Sequence, residues 1–121
     1  MATFPLRKAL LTAAIAPEKL LAKVEIVEVT MGPKQKAPLH LHPCSVVGVV
    51  KEGRIAYQRE GEEVQYLNVG DAFYEPANAR VARFDNDGET PATFIAFYLL
   101  GEGEDELIRI LDEDHTTAPT S

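Results

Sequence analysis

The chain has 121 residues, of which 45% are hydrophobic, and its 12 Lys and Arg against 19 Asp and Glu give a net charge of −7. This length suits a single core, so we expect one domain over residues 1–121. The acidic balance argues against nucleic acid or an anionic membrane as a partner. The one cysteine, Cys44, excludes an intrachain disulfide, and we expect a reducing compartment, the cytoplasm.

The first element is a short apolar run after Arg7-Lys8. It resembles a short signal peptide, but it reads equally well as a strand, and we predict a strand over residues 6–15 that ends before Pro17. No stretch approaches the length needed to cross a membrane, so no membrane partner is expected.

The remainder reads as short strands separated by turn residues. Alternating and β-branched runs predict strands over 23–31, 38–42, 45–51, 54–59, 64–69, 72–75, 80–84 and 92–100. Residues 104–111 fit a short helix or a last strand, and we expect 112–121 to fray. This spacing predicts an all-β sandwich or closed double-sheet barrel with a core over about residues 22–100.

Two histidines, His40 and His42, form the clearest chemical pattern. Pro38 and Pro43 flank them and favour extended backbone. Side chains two apart on a strand share a face, so the two imidazoles should lie side by side, as in many metal sites. Two histidines alone hold a metal loosely, and a pair hydrogen-bonded to backbone is the alternative interpretation.

Two further motifs occur in order. The first is a glycine, a His-x-His pair and a later glycine; the second is a Gly-Asp pair, a proline and a later asparagine. They read Gly32…His40-Leu41-His42-Pro43-Cys44-Ser45-Val46…Gly53 and Gly70-Asp71-Ala72-Phe73-Tyr74-Glu75-Pro76-Ala77-Asn78-Ala79-Arg80-Val81…Asn86. This pattern resembles the small single-domain cupins over most of the chain. The resemblance implies a double-stranded β-helix, or jelly-roll barrel, and a homodimer paired through sheet edges.

The resemblance also implies a metal held by two histidines, a glutamate and a further histidine. Here the glutamate position is Val46 and the last histidine position is Val81, so half of that ligand set is aliphatic. Glu75 is the main candidate to replace them, because two histidines and a carboxylate form a known metal-binding arrangement. Pairing of Glu75 at the barrel mouth is the alternative. Cys44 is better explained as a buried hydrophobe and His115 as a surface residue of the tail.

Other polar side chains are candidates for contact with a ligand. If Val81 faces inward, alternation turns Arg83 inward too, where it would pair with Glu75 or with a carboxylate-bearing ligand. A bulge that turns Arg83 outward is the alternative. Tyr57, Tyr66 and Tyr98 offer hydroxyls, and Tyr98, on the strongest strand, can line the cavity. For all three, a core position is the alternative interpretation.

We therefore interpret the chain as a small-molecule-binding cupin with a weakened two-histidine site, able to bind a divalent metal such as iron, manganese, nickel or zinc. The first alternative is a metal-dependent enzyme of the oxygenase or isomerase kind that uses His40, His42 and Glu75. The second is a metal-free binding protein, sensor or assembly module.

Overall fold

The computed structural model describes residues 5–111, and its nine strands form two antiparallel sheets. The strands are β1 (Lys23–Met31), β2 (His40–Leu41), β3 (Val46–Glu52), β4 (Ile55–Arg59), β5 (Gln65–Leu67), β6 (Ala72–Glu75), β7 (Val81–Asp85), β8 (Ala92–Leu100) and β9 (Arg109–Ile110). One sheet has the order β1-β8-β3-β6 and the other the order β5-β4-β7-β2-β9. The predicted all-β jelly roll is confirmed.

Alternation along each strand places the core between the two sheets. On β8 the buried positions recur every second residue, from Ala92 through Phe94, Ala96 and Tyr98 to Leu100. Aromatic rings from both sheets meet in the middle, with edge-on contacts of Phe84 with Phe94 at 4.9 Å and of Phe73 with Phe84 at 5.2 Å between ring centroids. Such contacts join the sheets and fix the distance between them.

The buried amide of Asn86 connects two loops at one end of the sandwich. Its Nδ2 donates to the carbonyl oxygens of Gly32 and Thr90, each at 2.8 Å. On the neighbouring Asp85, Oδ1 accepts a hydrogen bond from the backbone N–H of Ala37. The segment that leads into the histidine pair is thereby attached to β7.

Gly48 allows β3 and its neighbours to pack closely. A Cβ at this position would overlap the Ile95 carbonyl oxygen and the Phe73 ring. At Asn78, which follows Glu75-Pro76, φ is +66°, the left-handed conformation that asparagine tolerates better than most residues. The Asn78 N–H donates to the His42 carbonyl oxygen, so this turn holds the end of the histidine segment.

The predicted N-terminal strand over 6–15 was wrong, because no strand precedes Lys23 in the described residues. Leu10, Leu11 and Ile15 instead share a surface pocket with Val47 and Phe97 on the outer face of the first sheet. Val49 and Leu99 also line this pocket, so the segment lies against an apolar part of the face rather than pairing with an edge.

The last described element is the short strand β9, one of the two alternatives for residues 104–111. The predicted fraying of 112–121, and His115 with it, lies outside the described residues. No helix able to cross a membrane occurs within residues 5–111. The single-domain assignment stays a prediction.

Candidate metal centre

The histidine pair lies between two strands of the second sheet. His40 is opposite Val81 of β7 on one side and Ile110 of β9 on the other. His42 follows the end of β2, and the two rings lie edge to face with 5.1 Å between their centroids. Both side chains are buried. The prediction that the two imidazoles share the inner face is therefore confirmed.

Backbone carbonyl groups orient both rings. His40 Nδ1 lies 2.8 Å from the Pro38 oxygen, and His42 Nδ1 lies 2.7 Å from the Leu107 oxygen. A carbonyl oxygen only accepts, so each Nδ1 carries the proton. In the neutral rings both Nε2 atoms then have free lone pairs, which is the usual arrangement of metal-binding histidines.

The carboxylate of Glu75 comes from β6, the strand that pairs with β3 at the aliphatic position Val46. Glu75 ends β6 and is paired directly with Val46 of β3. Residues directly opposite each other on an antiparallel pair project to the same face. Glu75 therefore enters the interior beside Val46.

The three side chains converge on a small volume. Glu75 Oε1 is 3.2 Å from His42 Nε2 and 3.8 Å from His40 Nε2. One donor atom from each of the three residues lies within 4.8 Å of the others. Although the His42 contact is short, Oε1 is buried without an aligned hydrogen-bond donor in the described part of the chain. A buried carboxylate oxygen without a donor is costly unless a cation or proton joins it.

The proximity of these groups affects their ionisation. Burial alone would lower the pKa of His42, but the contact with Glu75 outweighs it and raises that pKa. Burial alone would raise the pKa of Glu75, but its contacts with His40 and His42 outweigh it and lower that pKa. Glu75 is therefore an anion at neutral pH, and the cluster attracts positive charge.

A family model described as the cupin domain matches residues 27–98. The chain belongs to the cupin domain family. No curated protein sequence matches the chain. Three solved structures illustrate its similarity to known proteins, each below 25% identity, which establishes the shared fold alone.

The first is a DMSP lyase from Ruegeria pomeroyi DSS-3, with a TM-score of 0.64 and 17% identity over 79% of this chain and 45% of that one. An oxalate oxidase in complex with the substrate analogue glycolate has a TM-score of 0.61 and 21% identity over 73% and 46%. A cupin-like protein from Thermotoga maritima has a TM-score of 0.61 and 19% identity over 73% and 64%. This cupin spans about half the length of the first two chains.

The two aliphatic replacements are fully buried beside the cluster. Val46 and Val81 have no exposed surface. Val81 is opposite His40, and Val46 is opposite both Glu75 and Tyr98. In this cupin a hydrophobic wall thus occupies two positions where the family resemblance implies ligands, and it limits access of water to the cluster.

Arg83 does not reach the cluster. A bulge in the pairing of β4 with β7, between Gln58 and Arg59, interrupts the alternation after Val81. Arg83 instead pairs with Asp85 at 3.1 Å and with Asp87 at 2.8 Å, and it does not line the cavity. Of the two orientations that the sequence left open, the structure has the outward one, and the bulge is its physical reason.

The cluster opens into a cavity of about 250 Å³. Tyr98 lines it with its ring centroid 5.7 Å from that of His42. Burial, followed by the charge of Glu75, raises the pKa of Tyr98 to about 12, so the hydroxyl keeps its proton at neutral pH. It can donate a hydrogen bond to a ligand beside the cluster.

The remaining candidates lie elsewhere. Cys44 is buried outside the cavity lining, and burial raises the pKa of its thiol. Tyr57 is a core residue whose hydroxyl donates to the Tyr74 carbonyl oxygen, as expected for a barrel-strand aromatic. Tyr66 is half exposed and carries the guanidinium of Arg54 above its ring, so it is neither a core residue nor part of the cavity lining.

Sequence reasoning missed the contributions of Leu107 and Lys36. Leu107 acts through its backbone oxygen, which leaves no residue-type signal in a sequence. Lys36 lines the cavity but is exposed, so it lies at the opening. Its position four residues before His40, directly after the turn that the Gln35 N–H closes on the Gly32 oxygen, was the available signal.

Proposed function

We propose that this cupin binds one divalent metal ion through His40, His42 and Glu75 and uses it to hold a small-molecule ligand in the adjoining cavity. The observation that carries the proposal is the convergence of three donors: two Nε2 lone pairs and a buried Oε1 without a hydrogen-bond donor among the described residues. Two imidazoles and one carboxylate fit non-haem iron and several other divalent ions.

The protein residues have separate roles in this proposal. Glu75 supplies the negative charge, and the carbonyl oxygens of Pro38 and Leu107 keep the imidazoles aimed at one point. Tyr98 donates a hydrogen bond from its hydroxyl group to a ligand oxygen. When bound, the metal supplies Lewis-acid or redox chemistry to a coordinated ligand. Iron, manganese, nickel and zinc all suit the donor set, and catalysis of the oxygenase or isomerase kind is the further step of the proposal.

A metal-free function is the second candidate, and the opposed pKa shifts favour it. A proton on His42 Nε2 would face the Glu75 carboxylate at 3.2 Å and form a buried ion pair. Such a pair can serve as a hydrogen-bonding or acid/base group for a bound ligand in a binding protein or sensor.

Elemental analysis separates the two candidates. The wild type and a double variant, His40→Ala with His42→Ala, are produced without an affinity tag in medium containing iron, manganese, nickel and zinc. The metal proposal predicts close to one ion per wild-type chain and little in the variant. Equal, negligible metal in both proteins, together with no uptake on titration, would refute metal binding and leave the ion pair.

We further propose that the protein is a cytoplasmic homodimer. The lone thiol of Cys44 supports a reducing compartment. The nine-residue strand β1 forms one edge of its sheet and exposes Val24 and Ile26, which supports pairing with a second copy.

A further inference from the structure

The cavity beside the metal cluster has one buried end and one end that is open to solvent. His40, His42 and Glu75 lie at the buried end, whereas Gln35 and Lys36 are exposed and mark the opening. Between the two ends most of the lining is hydrophobic and includes Val29, Met31, Phe84, Phe94 and Ala96. Thr30 also lines the cavity, but its hydroxyl is hydrogen-bonded to that of Thr93 at 3.0 Å. A ligand that reaches the cluster must therefore pass the charged opening and then lie against apolar side chains.

Electrostatics selects the charge of that ligand. Glu75 is the one carboxylate that lines the cavity in the described structure. A divalent ion held by Glu75 and two neutral imidazoles keeps one net positive charge, and Lys36 adds a second at the opening. Within residues 5–111 Lys36 forms no ion pair, unlike Lys34 and Lys51. An anion is attracted at both places.

The hydrophobic middle selects the body of the ligand. Met31 and Phe94 are almost fully buried and present no hydrogen-bonding group to a ligand. A hydroxyl or second carboxylate placed there would lose its hydration without a protein partner, which costs more than burial of a methylene gains. The 250 Å³ volume corresponds to about eight water molecules at roughly 30 Å³ each, which limits the ligand to a small one.

From these features we infer that the cavity is a site for small monocarboxylates with an apolar aliphatic or aromatic body. The carboxylate lies at the metal cluster, where Tyr98 donates to one of its oxygens, and the body packs against Met31, Phe84 and Phe94. Lys36 attracts the anion at the opening. This inference rests on the proposed metal function and adds the class of ligand to it.

The test measures binding to cobalt(II)-loaded protein by calorimetry and by the visible absorption of the ion. The ligands are the straight-chain series from acetate to hexanoate, phenylacetate, and the dicarboxylates succinate and glutarate. Affinity should rise about fourfold for each methylene until the cavity is full. Each dicarboxylate should bind at least tenfold more weakly than the monocarboxylate of equal carbon number. A flat series, or stronger binding of dicarboxylates, would overturn the inference.

Two variants locate the effects. Met31→Gln should reduce the gain per methylene while cobalt uptake stays the same. Lys36→Gln should weaken every carboxylate several-fold and reduce the dependence of binding on salt. Lys23→Gln, which removes the same charge outside the cavity lining, is the control and should change neither. If Lys36→Gln and Lys23→Gln behave alike, Lys36 has no role at the opening, and that part of the inference is wrong.

The same experiment separates this inference from the proposed function. Failure of the wild type to take up cobalt refutes the metal proposal, and the ligand assignment fails with it. Normal cobalt uptake with no preference for apolar monocarboxylates refutes the ligand assignment alone. Melting temperatures of all variants show whether a loss of binding reflects unfolding.

Discussion

Glu75 is the residue on which the proposed centre depends most. It supplies the only carboxylate among the three converging donors, and its Oε1 approaches both imidazoles. From the sequence, Glu75 could be named as a candidate because it precedes Pro76 in the second motif. Its inward direction could not be fixed until its pairing with Val46 was known, since the register of β3 and β6 is a three-dimensional property.

Replacement of Glu75 should therefore remove most metal binding. We expect Glu75→Gln to weaken cobalt or zinc affinity by roughly 100-fold or more, because even loss of an outer partner of a metal ligand costs 10- to 100-fold. Competition against a metal-sensitive dye measures this change. Glu25→Gln on exposed β1 is the matched control and should bind as the wild type does. Equal affinities for the two variants would remove Glu75 from the site.

Metal affinity should also depend on pH through His42. The ring must be neutral at Nε2 to bind a metal, and its pKa in the metal-free protein is raised above 6.5. Protons therefore compete as pH falls through that raised pKa, and affinity should drop by up to about tenfold per pH unit below it. The lowered pKa of Glu75 adds competition only below 4.5. Calorimetric titrations across about pH 6 to 8 test this. A metal affinity that does not change over that range would contradict the assignment of His42 as a ligand.

At the scale of the strands, much of the fold could be predicted from the sequence. β1, β6 and β8 have the predicted bounds because each combines β-branched or aromatic residues with a clear turn at its end. The position of Arg83 could not be predicted, because one bulge between β4 and β7 reverses the face on which it lies. That residues 6–15 form no strand could not be predicted either, since an apolar segment can pair with the edge of a sheet or lie across its face.

The outward course of Arg83 leads to a prediction about stability. Asp85 is buried, and its Oδ2 accepts from Arg83 Nε at 3.1 Å. Arg83→Met should destabilise the fold by roughly 1 kcal/mol, a modest value because Arg83 is partly exposed. Metal and carboxylate binding should be retained. Urea unfolding and cobalt titration measure the two properties, with Lys51→Met, which removes a surface pair with Glu28, as the control. Loss of carboxylate binding in Arg83→Met but not in Lys51→Met would show that Arg83 contacts the ligand.

The close approach of β3 and β8 at Gly48 leads to a second prediction. A methyl group there meets the Ile95 backbone oxygen, which cannot turn aside, and the Phe73 ring. We expect Gly48→Ala to lower the free energy of unfolding by about 2 kcal/mol or more, as for other overpacked cores. Gly32→Ala is the control, because its added methyl group meets only Gln35 Oε1 at 3.7 Å. Urea unfolding of the two variants gives the comparison, and similar midpoints would show that the sheets relax around residue 48.

At the scale of the whole molecule, the exposed edge of β1 is the feature that bears on assembly. Ile26 is 60% exposed on this edge strand although it is strongly hydrophobic. If two copies pair there, Ile26→Lys should halve the mass in solution without changing the melting temperature of the fold itself. Light scattering after size-exclusion chromatography measures the mass. Val69→Lys, at an equally exposed apolar residue between β5 and β6, should leave the wild-type mass unchanged. A monomeric wild type would refute the dimer.

The hydrogen bond from His42 Nδ1 to Leu107 spans 65 positions of the chain. The same C-terminal segment pairs with the strand of His40 through Arg109 and Ile110. A related protein can therefore keep both histidines and the glutamate and still bind a metal ion weakly, if a deletion or insertion displaces this C-terminal segment. A sequence comparison that looks only for the three donor residues would wrongly assign an intact metal site to such a relative.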